Sequence, residues 1–121
     1  GERLVQEHEV RWLTEKGRSD LADQVRIALD GEGYDVFSYD EDDNEKFIEV
    51  KTTRGDAYTS FFMTENELAF MQLHVGSYCI FRIFNFDAEN NFGEVFMIHG
   101  HVESQLHLIP NVYSVALKKE S

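Results

Sequence analysis

Cysteine is nearly absent from this chain. Cys79 stands alone, so no intrachain disulfide can form, and no CxxC or Cys/His spacing offers a structural zinc site. Proline occurs once, glycine only 8 times, and 42% of residues are hydrophobic with 13% aromatic, so collagenous, low-complexity and disordered classes fail on composition. No apolar run approaches the roughly 18 residues of a membrane-spanning helix, and the opening GERLVQEHEVRW lacks a secretory hydrophobic region. A soluble, non-exported protein is expected, with no membrane contact, in the cytoplasm or, in a eukaryote, the nucleus. Basic residues are also scarce. Only 11 Lys and Arg face 23 Asp and Glu, a net charge of −12, whereas duplex affinity comes largely from cations that neutralise phosphates. An autonomous nucleic-acid binder is disfavoured, and contact with DNA or RNA would need a metal or a basic partner domain. At 121 residues the chain suits one core, and a single domain over residues 1–121 is expected.

What is present is an ordered series of elements. Apolar residues from Leu4 to Leu13 recur on a helical period and Gly17 supplies a stop, predicting a first helix over Glu2 to Gly17. A short helical patch starts at Ser19, and extended runs follow at Val25 to Asp30, Tyr34 to Asp40 and Lys46 to Thr53. Turn chemistry at GEG and EDDNE predicts an antiparallel meander. SFFM reads as a short strand, and Thr64 with Glu67 forms a capping box opening a helix that Gly76 ends. SYCIFRIFNF and EVFMIHG predict a second hairpin across DAENNFG, and after a loop or short helix near Gln105, NVYSVALK predicts a last strand. Helices with a mixed sheet give the α/β or α+β class.

The run FIEVKTT carries charges inside a strand. Alternation puts Glu49 and Lys51 on one face with Phe47, and Ile48, Val50 and Thr52 on the other. Such residues are rarely buried without a partner or a ligand. Asp35, opening the preceding strand, is the third member. A three-residue turn of Asp42, Asp43 and Asn44, with Asn44 left-handed, sets Glu41 opposite Glu45 and Asp35 opposite Lys51. A two-residue turn would place Asp35 opposite Val50 and on the wrong face.

An Asp at one strand start and Glu-x-Lys on the next, in a helix, three-strand, helix, strand order, resembles the PD-(D/E)XK nuclease superfamily. More closely, GERLVQEHEVRWL, GRSDLA, GYDVFSYD, FIEVKTT and TENE are similar to the domain at the C-terminus of the plant NO VEIN protein and in many prokaryotic proteins, over roughly residues 1–85. Tyr34 stands where the superfamily has proline, as divergent members tolerate. The resemblance implies a restriction endonuclease-like core with additional C-terminal strands, and metal-dependent phosphodiester cleavage. Asp35 and Glu49 would hold Mg²⁺ or Mn²⁺ together with the Val50 carbonyl, Lys51 would orient the attacking water or stabilise the phosphate, and Glu2 matches the helix-borne acid.

The competing class is a non-catalytic module that keeps the fold and mediates protein contacts beside an ATPase or helicase. A signalling domain that binds a small phosphorylated ligand through a metal is a third, and a homodimer stays open. Blander readings cover the remaining candidates. Glu9 reads as solvated helix face, EDDNE as a solvated hairpin tip, Glu67 as a cap, and His99 and His101 as ordinary strand or turn residues. Cys79 reads as a buried hydrophobe, and Phe61, Phe62, Phe81, Phe84 and Phe86 as core.

Overall fold

A computed structural model describes residues 1–119. Helix α1 spans Glu2–Glu15 and the short α2 spans Ser19–Ala22. Strands β1 (Arg26–Ile27), β2 (Val36–Tyr39) and β3 (Glu45–Thr52) form an antiparallel meander. Helix α3 (Glu65–Leu73) then crosses over to β4 (Tyr78–Asp87), parallel to β3, and β5 (Phe92–Ile98) returns antiparallel. The result is a mixed α/β arrangement with one five-stranded sheet in sequence order β1-β2-β3-β4-β5.

Alternation along the strands divides the core between the two sheet faces. Val36, Ile48, Cys79, Phe81 and Ile83 pack with Val5 and Leu13 of α1 and Leu21 of α2. Tyr78 and Ile80 pack with Met71 of α3 and with Val102 of a final 3-10 turn, Val102–Gln105. Leu13, Val36, Ile48 and Ile80 expose no surface, each gaining about 1.5–3 kcal/mol of transfer free energy on burial. The buried stripe of α1 is Val5, Glu9 and Leu13, spaced by one turn, so the solvated-face reading of Glu9 is wrong. Lys46 of β3 brings its Nζ to 2.5 Å from Glu9 Oε1, and the Trp12 ring lies 4.7 Å from that ammonium. The helix can bury a carboxylate there because the strand beneath supplies the cation.

Several boundaries differ from expectation. β1 shrinks to two residues, SFFM forms no strand, and residues 111–118 are not paired into the sheet. The capping box of α3 forms in full, but the helix stops at Leu73 with His74 as its C-cap, before Gly76. The hairpin turn uses Glu41, Asp42 and Asp43, since Asp40 N–H donates to the Asn44 carbonyl and Asp43 takes the left-handed conformation at φ 69°. Asp40 Oδ1 fixes this turn by accepting the amides of Asp42 and Asn44. Asn44 is therefore not the left-handed residue. The pairing shifts by two: Val36 lies opposite Ile48, so the next pair in register is Asp35 with Glu49, not Lys51. A two-residue shift keeps Asp35 on the same face as Glu49. Phe62 is 76% exposed, which removes it from the expected core.

The loop before Asp35 is shaped by close contact with α3. Gly33 has φ 91°, and a Cβ there would lie 2.8 Å from the Phe70 ring, so glycine alone lets the loop come this near. Tyr34 then seats its ring 5.0 Å from Phe47 and 5.2 Å from Phe70, and its hydroxyl accepts from Arg26 Nη2 at 2.8 Å.

Candidate functional site

Beyond the end of β2, the loop carrying Asp35 faces the middle of β3. Asp35 N–H donates to the Ile48 carbonyl at 2.8 Å, and its Oδ2 accepts the Val50 N–H at 2.7 Å. The side chain thus takes the place of the strand that has ended. A strand residue's N–H and C=O point the same way, so the Val50 carbonyl also faces the Asp35 side, where β2 no longer covers it.

Glu49 is 2% exposed and projects toward α3. Its carboxyl is pushed up to about 9, first by burial, then by a hydrogen bond with Glu67 and by the neighbouring Asp35. Lys51 Nζ lies 3.3 Å from Glu49 Oε1 and donates to Glu67 at 3.0 Å and 3.2 Å. Burial opposes ionisation of Glu67, but hydrogen bonds from Glu49, the Thr64 amide and Lys51 outweigh it and hold its carboxyl below the usual range. Glu2, in the first turn of α1, is raised by burial and by Asp35. A cavity of about 220 Å³ opens between the Ala28–Gly33 loop and the start of α3, lined by Glu2, Asp30, Asp35, Glu49, Thr64 and Glu67 among others.

The structure thus brings Glu2, Asp35 and Glu49 to one cavity, with Lys51 behind Glu49 and Glu67. The sequence marks Glu67 only as a helix cap. Its Oε1 accepts from both the Thr64 amide at 2.9 Å and Lys51, so the cap also seats the lysine. The sequence signal was weak: an N3 acid on a helix whose start adjoins a charged strand. Arg82 was also missed, although an arginine inside an apolar ten-residue strand is unusual. It is 1% exposed, sits beside Lys51 in the β3–β4 register, and donates to the carbonyls of Lys51 at 3.2 Å and Thr59 at 2.7 Å. Tyr78 adds a buried hydroxyl, without a partner among the described residues, whose ionisation is suppressed by burial and by Glu49, Glu67 and Asp35. Cys79 is a buried thiol pushed up to about 12 by desolvation, which makes it a poor nucleophile.

Among the described residues, no group of three or more His, Cys, Asp and Glu side chains is arranged to hold a metal ion. A hard cation that keeps several waters does not require one. Mg²⁺ commonly takes one or two carboxylates, and the groups that would supply them here, Asp35, Glu49 and the Val50 carbonyl, are all oxygen donors. The donor chemistry fits, provided Glu49 gives up its proton.

A family model described as Protein NO VEIN, C-terminal, matches residues 1–98. The chain belongs to this NO VEIN C-terminal family. No curated protein and no solved structure matches it. The family match extends through β5 and includes every residue of the cavity, whereas the segment after residue 98 lies outside it.

One consequence of the buried carboxyl is a pH effect without metal. The unfolded chain loses the Glu49 proton near 4.5 and the native protein near 9, so between these values the native state holds an extra proton. Stability from this group is greatest below about 4.5 and falls as pH rises toward 9. Glu49→Gln, measured by thermal melting in a chelator at pH 7, is expected to stabilise by up to about 3 kcal/mol and flatten that decline. A variant that melts lower, with the slope unchanged, would contradict the assignment.

Proposed function

We propose that this NO VEIN C-terminal domain is a metal-dependent nuclease of the PD-(D/E)XK type, hydrolysing phosphodiester bonds with Asp35 and Glu49 as metal ligands and Lys51 as the catalytic lysine. The observation that carries the reading is the meeting of the Asp35 and Glu49 carboxyls at a cavity, with the Lys51 ammonium 3.3 Å from Glu49. Support for a restriction endonuclease-like core comes from the order of α1, antiparallel β1 to β3, α3 and parallel β4.

Bound there, Mg²⁺ or Mn²⁺ would lower the pKa of a coordinated water and offset charge building on the phosphate. The chain's own residues do the rest. Asp35, fixed by the Val50 amide, holds its carboxylate toward the opening. Lys51, seated by Glu67, donates toward the attacking water or the phosphate oxygens, stabilising charge in the transition state. Water oxygen forms a new bond to phosphorus as it releases a proton to solvent, the bond to the departing sugar oxygen breaks, and that oxygen takes up a proton from solvent. Glu2 completes the acidic rim of the cavity.

With a net charge of −12, the domain would rely on a basic partner domain, within a larger nucleic-acid-processing or defence protein, to hold DNA or RNA. The same charge, with the ion pair that ties Lys51 to Glu67 and the 3.3 Å contact of Lys51 with Glu49, favours one second reading: a catalytically silent module used in recruitment beside an ATPase or helicase.

Titration with Mn²⁺ or Mg²⁺ during thermal melting tests the ligand set. A cation that binds only the native state stabilises it by about 2.7 kcal/mol at 100 times its dissociation constant. Wild type is expected to show the gain and Asp35→Asn and Glu49→Gln to lose it. An unchanged metal response in both variants would reject these ligands.

A further inference from the structure

The sheet ends in an open edge on one side. β5 is the last strand, and Phe92, Val95 and Phe96 on it are 66%, 45% and 40% exposed. Both of its faces continue the core, since Met97 packs with the α1 cluster and Ile98 with the α3 cluster. An open edge of this kind presents a row of backbone donors and acceptors ready for another strand. The opposite edge, β1, has only two residues.

The segment that follows carries the complementary character. Residues 111–118, NVYSVALK, set Tyr113, Val115 and Leu117 on one side and Val112, Ser114 and Ala116 on the other, a run of strand-favouring residues. Yet the segment stands off its own sheet, with Val112 87%, Tyr113 74%, Val115 88% and Leu117 97% exposed. So many exposed apolar side chains in one short run mark an interaction surface.

We propose that residues 111–118 add as an antiparallel sixth strand to β5 of a second copy, so that two chains exchange these segments about a two-fold axis. Charge selects the direction. Lys118 and Lys119 are the sole adjacent basic pair in the chain, and antiparallel addition sets them at the β4–β5 turn end of the sheet, near Asp87 at the end of β4, Glu89 in the turn and Glu94 early in β5. Parallel addition would carry them to the other end. With Val115 opposite Val95, Tyr113 falls opposite Met97 and extends the α1-side core, while Val112 meets Ile98. Each chain has one such edge and one such segment, so reciprocal exchange uses both and closes the assembly as a dimer. The segment lies outside the family match, so this dimer is a property of the present chain and does not depend on the cavity chemistry.

Sedimentation of the whole chain across a concentration series, combined with amide hydrogen exchange, tests the exchange. Wild type is expected at twice the chain mass, with protection of residues 112–117 that grows with the dimer fraction. Val115→Asp with Leu117→Asp, both at exposed positions that leave the core untouched, is expected to give a monomer with an unprotected segment. Lys118→Glu with Lys119→Glu is expected to weaken the dimer at least tenfold at low salt. A wild-type monomer without protection overturns the proposal. Protection independent of concentration in a monomer overturns it too, since the segment would then pair with its own β5. A dimer that survives the two aspartates also overturns it.

Discussion

Lys51→Ala is expected to lower metal-dependent cleavage by about 10²–10³-fold while keeping the rise in melting temperature given by Mn²⁺. The side chain removed is no metal ligand; it is the cation beside the cavity, 3.3 Å from Glu49 and 3.0 Å from Glu67. Its loss takes away the donor to water and phosphate but leaves Asp35, Glu49 and the Val50 carbonyl. The assay calls for purified domain, Mn²⁺, low salt, and both single-stranded and duplex DNA and RNA, because screening is weakest there and the −12 charge repels substrate. Asp35→Asn prepared in parallel controls for contaminating nuclease. Equal cutting by wild type and Lys51→Ala would refute the catalytic assignment. No cutting by wild type, even when fused to a basic DNA-binding partner, would count against the nuclease and favour the silent module.

Lys46→Met is expected to destabilise the α1 interface by about 3–5 kcal/mol. Glu9 is fully buried, and Lys46 is its cation at 2.5 Å; His8 Nδ1, 3.4 Å away on the same helix, is a weaker neighbour. Without Lys46 a desolvated carboxylate remains under α1. For a domain of this size the loss corresponds to a fall in melting temperature of roughly 10–20 °C. Glu9→Met combined with Lys46→Met should recover most of it, because two apolar side chains of similar volume leave no unpaired charge. A double variant no more stable than Lys46→Met alone would show that α1 needs this ion pair for more than charge balance.

The period-2 pattern of FIEVK was enough to separate Glu49 and Lys51 from Ile48 and Val50, because a strand's side-chain direction is fixed by its own backbone. Thr64 and Glu67 likewise announced the start of α3, since a capping box closes within four residues. The turn was harder. Asp43 and Asn44 both tolerate the left-handed conformation, and the choice fell to Asp43 because Asp40, before the turn, accepts the amides of Asp42 within it and Asn44 after it. That choice moved the register by two and brought Asp35 opposite Glu49 in place of Lys51.

By itself, then, the sequence determined the elements that rest on neighbouring residues: the α1 period, the meander, the α3 cap, the shared face of Glu49 and Lys51, and membership of the NO VEIN C-terminal family. Tertiary structure decided which charges meet. Glu9 is buried on α1 because Lys46 arrives from β3, Glu67 holds Lys51 from 16 residues away, and Arg82 lies beside Lys51 through a parallel pairing that only the crossover by α3 creates. It also decided that residues 111–118, strand-like in pattern, stay off their own sheet. Periodicity and capping are local and can be read along the chain, whereas a salt bridge or a strand partner depends on the packing of segments whose separation in sequence carries no mark of their contact.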